Sequence, residues 1–422
     1  MERLELRYDR TTVAHWLSGS RPTEPVPRLV AEVLSRSLGR EVSVEDTGLG
    51  RPVVRPAAPD GDPYELMVAL AALGGRRRTD RLPVYSLARK RLPAFPQQAP
   101  HGRSAVPPAR IGTPHLQLAQ SLLEVVASRD EAMGPEQGRG MLTDFLGTVA
   151  ADWLRASAPP ALRWRLLSCT SRLSYLAGFS CFDAQHHGLA QSYYRTAALL
   201  AAEAADNDSY AIALRGMSVQ AHYLGHRRYA RELAELAATH GHALPAGQAA
   251  FVRGQQAVTA AACGERKKAF AYLTEAQRLL DRALTPSSGV GGYDWAGYAH
   301  QEAEVLAGLG DVQGAIRSLT RSGRERSATE RMARAVVNAR LAELLLSRGS
   351  LDRATEVWHS VLDDYPLVGS GRLTASVTRM RGRLALQHRG AAVQALLNRA
   401  AALQGAVPAR RKPVDEPERA AP

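Results

Sequence analysis

One spacing constrains this 422-residue chain more than any other feature. A glycine followed five residues later by an alanine recurs as Gly225/Ala230, Gly264/Ala269, Gly310/Ala315, Gly349/Ala354 and Gly390/Ala395. The intervals are 39, 46, 39 and 41 residues. An upstream copy has Gln185 in the glycine place, followed by Ala190, Tyr194 and Ala197. Ser218, Ala257, Ala303 and Ala342 stand seven residues before the glycine. Each copy falls at a loop-to-helix junction, where glycine permits a tight turn and small residues let paired helices approach. The text around the copies has helical periodicity, as in 116–128, 141–157 and 161–179, with Gly or Pro between the runs. No window alternates as a strand would. The spacing therefore predicts an all-α chain, with a degenerate array of helical hairpins over 116–403; an irregular helical bundle is the alternative.

The repeat resembles the tetratricopeptide repeat, with longer spacing and no recurring terminal proline. That resemblance implies an α-solenoid whose concave face is lined by the first helix of each hairpin. In this chain the lining places are Arg215, Val219 and His222, then Phe251 and Val258, then His300 and Glu304, then Glu343, and finally Met380. Mixed charged and apolar side chains suit a peptide, a small molecule or a protein partner; a solvated helix face is the alternative.

Proline divides the remainder. Fourteen of the 24 prolines precede residue 115, and 51–115 is broken apart from one helical run at 64–73. Between 76 and 115 lie Arg76, Arg77, Arg78, Arg81, Arg89, Lys90, Arg91, Arg103 and Arg110 against one acid, Asp80. Such a segment is either a solvated linker or an auxiliary contact to a phosphate backbone. The polar end, 404–422, is expected to fray. Only four of the 54 basic residues are lysine, and the net charge of +13 favours a polyanionic partner.

The first fifty residues form a separate head. In the string DRTTVAHWLSGSRP at 9–22, Asp9 can cap a helix over 10–17 and Gly19 can end it. Val13, Trp16 and Leu17 would face inward, with Arg10, Thr11, Ala14 and His15 outward. A second helix over 27–38 has Leu29, Val30, Val33, Leu34 and Leu38 at helical spacing, and Ser43 with Asp46 reads as the cap of a short third. The string TVAHWLSG with Pro22 resembles the recognition helix of Xre/Cro-type helix-turn-helix repressors. By that resemblance Arg10, Thr11 and His15 would meet base edges, and Thr12 and Arg21 would meet phosphates. Only eight residues precede Asp9, so by that resemblance two supporting helices of the domain are expected to be missing. Either translation starts further upstream or autonomous DNA binding is lost, and a capped helical hairpin without a DNA role is the alternative.

Three further stretches, GLAQSYYR at 188–195, ALLAAEAAD at 198–206 and MSVQAHYLG at 217–225, are similar to actinobacterial regulators. Those proteins join an Xre-type domain to a tetratricopeptide-like sensor. The resemblance implies a transcriptional regulator, possible as a homodimer, that binds DNA and an effector or protein partner. A scaffold that has lost DNA binding is the alternative.

No enzyme signature is found: no phosphate loop, no GxSxG, no HExxH. GVGG at 289–292 follows no strand and accounts for the long 46-residue interval. His240, His242 and nearby His226 lack supporting carboxylates or cysteines and read as surface loop residues, as do His186 and His187. Cys169, Cys181 and Cys263 lie on different helices, read as core, and exclude a disulfide framework. The chain is thus expected to be no enzyme, with no metal and no cofactor. With a charged start and no long apolar run, it is expected to be soluble and cytoplasmic.

Overall fold

A computed structural model describes residues 9–23, 26–38, 42–49, 62–74, 83, 85–87, 92, 95, 110–283, 290–387 and 390–406. Helices α1 (Arg10–Leu17), α2 (Val26–Leu38) and α3 (Pro63–Gly74) come first. Helix α4 (Thr113–Met133) leads to a bent stretch made of α5 (Arg139–Asp144), a π-helical segment (Phe145–Ala150) and α6 (Ala151–Arg155). Hairpins follow. They are α7 (Pro160–Asp183) with α8 (His187–Glu203), α9 (Asn207–Tyr223) with α10 (Arg227–His240), and α11 (Ala246–Ala262) with α12 (Arg266–Asp281). The next three are α13 (Trp295–Gly308) with α14 (Val312–Glu325), α15 (Arg331–Ser347) with α16 (Leu351–Asp364), and α17 (Gly371–Gln387) with α18 (Ala391–Ala406). No strand occurs among the described residues; the fold is an all-α, tetratricopeptide-like solenoid.

The repeat residues build these hairpins. Gly225, Gly264, Gly310 and Gly349 all take the left-handed conformation, with φ between 75° and 88°. The residue after each turn then donates its N–H back five residues: His226 to Ala221 (2.9 Å), Glu265 to Ala260 (2.9 Å), Asp311 to Leu306 (2.8 Å) and Ser350 to Leu345 (3.0 Å). This closes the free carbonyls of the first helix. Gln185 (φ 67°) makes the same turn without glycine, and Ala205 (φ 52°) makes one between α8 and α9. Ala190, Ala230, Ala269, Ala315 and Ala354 have no exposed surface, and Ser218, Ala257, Ala303 and Ala342 are buried beside them. The two sets meet directly where Ser218 Oγ donates to the Ala230 carbonyl (2.7 Å). The last copy breaks register: Ala395 is exposed, and α18 packs through Val393, Leu396 and Ala400.

The ends of the array touch. Gly369 N–H donates to the Met133 carbonyl (2.8 Å), and Glu136 N–H donates to the Gly369 carbonyl (3.3 Å). Asp183, at the end of α7 and without exposed surface, accepts from Ser370 Oγ (2.9 Å), Gly371 N–H (3.0 Å) and Arg372 Nε (2.8 Å). The first helices thus face a common interior.

The head packs differently from its sequence pattern. Asp9 caps α1 as expected, accepting from Thr12 N–H (2.7 Å), and Gly19 (φ 106°) follows it. Yet α1 buries none of its residues: Val13 is 41% and Leu17 85% exposed. Their expected inward orientation needs a helix packed across α1, and no described helix supplies that surface. On α2 the expected stripe is also displaced. Val33, Leu34 and Leu38 are exposed, while Val26, Ala31 and Ser35 are buried. The reason is docking, since Glu32 on α2 meets His226 (3.0 Å) at the turn between α9 and α10. Ser43 N–H and Asp46 Oδ2 (2.8 Å), with Asp46 N–H and Ser43 Oγ (3.1 Å), form the expected reciprocal cap, but over a turn at 44–48 rather than a helix.

Several residues of the proline-rich segment pack on the array. Tyr85 and Leu87 are buried, and Tyr85 stacks on His226 (5.2 Å, 14°). Ser86 N–H donates to Gln191 Oε1 (3.1 Å), and Gln191 Nε2 returns a bond to the Ser86 carbonyl (2.8 Å). Phe95 edges onto Tyr210 (4.9 Å). Arg110 is exposed at a bridge to Ser157. Arg76, Arg77, Arg78, Arg81, Arg89, Lys90, Arg91 and Arg103 lie outside the described residues, as does most of 404–422.

Candidate functional site

The interior-facing surfaces of α9, α11, α13, α15 and α17 form the candidate site. Seven of the nine sequence-derived places remain half-buried on it: Arg215, Val219, His222, Phe251, His300, Glu304 and Glu343. Val258 and Met380 do not. Both are buried in the hydrophobic core, Met380 among residues packed between α15 and α18. Helical spacing alone placed them on the face, whereas inter-hairpin packing rotates them beneath it.

Two Glu–Arg rungs stitch neighbouring first helices. Arg340 Nε bonds Glu304 (2.9 Å) and its second nitrogen reaches the other oxygen (3.3 Å). Arg379 makes a single bond to Glu343 (2.9 Å) one hairpin later. Both rungs join residues 36 apart. Sequence reasoning missed Arg340 and Arg379, although that doubled offset was available as a signal. It also missed Asp183 and Arg372, whose 189-residue separation leaves no local trace.

Electrostatics follow from enclosure. Burial pulls His300 down to about 4, against the pull of Glu304, and burial lowers His222 likewise. Burial pushes Glu304 up, but Arg340 and His300 outweigh it and hold its carboxyl below the usual range. Arg340 is raised, because Glu304 overcomes the opposing burial. At neutral pH His222 and His300 are neutral and the Glu304–Arg340 rung is charged.

Toward the amino-terminal end the face turns aromatic. The Arg215 guanidinium lies 3.4 Å from the Phe251 ring centroid. With the Gln301 amide oriented so that its nitrogen donates to the Tyr293 hydroxyl (2.5 Å), its oxygen accepts from Arg215 (3.3 Å). Gly254 makes room for this, since a Cβ there would meet Gln301 and Tyr293.

The DNA-directed places sit apart on the head. Arg10, Thr11, His15 and Arg21 are exposed, whereas Thr12 is engaged in the cap through its hydroxyl on Asp9 (2.6 Å).

His226, His240 and His187 are structural contacts rather than surface loop residues, whereas His242 is exposed as expected. His226 is buried between Glu32 and Tyr85, and His240 lies against Phe95 and Tyr210 with Asn207 (3.1 Å). His187 is buried against Phe182 and Tyr223, and burial lowers it to about 2. Cys169 and Cys181 share α7 instead of lying on different helices, and burial raises their thiols to about 11 and about 12, while Cys263 is only partly buried. Among the described residues no three His, Cys, Asp or Glu side chains gather as metal ligands, and no helix is long and apolar enough to cross a membrane.

Comparison with known proteins adds three findings. A family model described as the SP15 N-terminal domain matches residues 2–50. A search of curated proteins returns no match. Among solved structures, a chain in the crystal structure of the APC/C hetero-tetramer Cut9-Hcn1 is similar, at 15% identity and a TM-score of 0.32. The match covers 68% of this chain and 52% of that one, so the chain spans about half the length of the protein it matches. The family match falls on the head, and the array behind it is a solenoid of tetratricopeptide-like hairpins.

Proposed function

We propose that the chain is an interaction scaffold whose concave face binds an extended segment of a protein or peptide partner. One observation carries this reading. Consecutive first helices bring half-buried apolar, aromatic and charged side chains side by side, from Arg215, Val219 and Phe251 to His300, Glu304 and Glu343. Such a strip can take up successive side chains of one extended chain, and recognition rather than bond chemistry is the activity we assign. Peptides selected by display on the full chain should lose binding to Val219→Glu and keep it for Leu236→Glu on the exposed face of α10. Equal retention in both variants would contradict the proposal.

A second reading keeps the head as a DNA-contacting element of a regulator, with the array as its sensor. It is favoured by the joint exposure of Arg10, Thr11 and His15 along α1, followed by exposed Arg21. A gel-shift series tests it: His15→Ala or Thr11→Ala should relax base preference by about 1–3 kcal/mol per lost contact. Unchanged preference removes this reading.

A further inference from the structure

On the concave face the carboxylates already have partners. Asp183 pairs with Arg372 (2.8 Å), Glu304 with Arg340 (2.9 Å) and Glu343 with Arg379 (2.9 Å). Arg326, which faces His300, pairs with Glu330 (3.1 Å). Arg215 differs from all four arginines. Its neighbours are the Phe251 ring, a Tyr175 hydroxyl and the Gln301 amide, and among the described residues no carboxylate forms an ion pair with it. Its Nε is buried and makes no hydrogen bond. Burial lowers the Arg215 pKa, yet a guanidinium stays protonated at any physiological pH. A cation withdrawn from water without an anion is costly, and an incoming anion removes that cost.

We propose that Arg215 anchors a carboxylate of the bound segment, with apolar residues of that segment lying beside it. This rests on the peptide-binding reading above. The choice of a carboxylate follows from charge matching. His222 and His300 are neutral at pH 7, so the site presents one positive charge in a planar fork, which fits a monoanionic carboxylate better than a dianionic phosphate. The apolar flanks are supplied by Val219, one helical turn beyond Arg215, and by Phe251 beneath it. The carboxylate can belong to an acidic side chain or to a chain terminus.

The test uses the full chain and labelled, amidated hexapeptide pools with Glu, Gln or Lys fixed at the third position. Wild type should bind the Glu pool about tenfold more tightly than the Gln pool, the scale of one charge-assisted hydrogen bond. Arg215→Met should bring that ratio to about one. Arg215→Gln, which keeps a polar group toward Tyr175 and Gln301, should do the same if the Met variant folds poorly. Circular dichroism melts establish that each variant is folded. A Gln pool with a free carboxyl end separates the two sources: recovered affinity there, lost in Arg215→Gln, identifies a terminal carboxylate. A ratio near one in wild type with no gain from the free carboxyl end, or an unchanged ratio in both folded variants, overturns the anchor alone. Failure of every pool to bind overturns the anchor together with the peptide-binding reading.

Discussion

The two halves of the array share one hairpin and present different faces. Six residues before the turn glycine, the first half carries Val219 on the face and Val258 turned into the core, and the second carries Glu304 and Glu343 on the face. In the first half, helices are joined by buried amides and hydroxyls: Gln255 Nε2 on α11 donates to Ser218 Oγ on α9 (3.1 Å), and Gln220 Nε2 on α9 donates to the His187 carbonyl at the start of α8 (2.7 Å). In the second half the same job falls to guanidinium–carboxylate rungs at the rim of the interior. The lesson is that packing positions and face positions vary independently. Alanines under the hairpins are fixed by helix–helix distance, whereas the outward residues are free to become apolar, aromatic or charged. Self-paired charges leave the second half electrically satisfied, and the unmatched cation Arg215 lies in the first.

The strongest way to break the comparison is at the seam, where α7 of the first half meets α17 of the second. Asp183→Asn leaves Arg372 without its buried anion and weakens three hydrogen bonds. Loss of one partner of a buried pair costs about 3–5 kcal/mol. Urea unfolding should register that loss, and hydrogen exchange should speed first in α17 and α18. A loss below 1 kcal/mol would mean that the ends do not need each other.

Acid should act next, on His300 in the charged half as on His187 in the first. His300, facing Glu304, Arg326, Arg340 and Arg372, stays neutral in the fold down to about 4, while the unfolded chain protonates at its ordinary value of 6.5. The unfolded state therefore binds the extra proton first, so stability falls as pH drops from about 6.5 toward 4. The effect is a few kcal/mol at most, since one pH unit of displacement corresponds to about 1.4 kcal/mol. His300→Gln should reduce that slope in chemical denaturation at pH 7 and pH 5, leaving the share of His187. An identical slope in the variant would assign the acid sensitivity elsewhere.

Packing should not separate the halves. Ala230→Leu in the first and Ala354→Leu in the second overfill equally closed sites and should each cost about 1–3 kcal/mol. Ala395→Leu, in the displaced last copy, should change the melting temperature little. A cost at Ala395 matching the other two would restore the regular register there.

Those contrasts also mark how far the sequence could be read. The turn glycines and the alanines beneath them are local and periodic, so the hairpins were legible from spacing. Gln185 and Ala205 turn the chain without glycine, and only the first could be recognised, through Ala190 after it. The face was legible in outline, but Val258 and Met380 were lost to the core because a helix's rotation is set by its neighbours. Arg372 and Asp183 were invisible, since their contact exists only once the array has curved round. On the head, the capping string of α1 predicted its helix and its end, yet not its exposure, because burial depends on a partner surface.

The smallest expected effect concerns the rungs. A double-mutant cycle on Glu304→Gln and Arg340→Met should give a coupling of about 0.5–1 kcal/mol, the range for partly exposed pairs, and added salt should shrink it. The same cycle on Val219→Ala and Gln255→Ala should be insensitive to salt. Salt dependence in both would erase the electrical distinction between the halves.

Hydrogen exchange of the full chain with and without a display-selected peptide shows whether the concave face is the recognition surface. Exchange should slow in α9, α11 and α13, with α10, α12 and α14 unchanged. Protection confined to the second helices, or to α1 and α2, would contradict that role of the concave face.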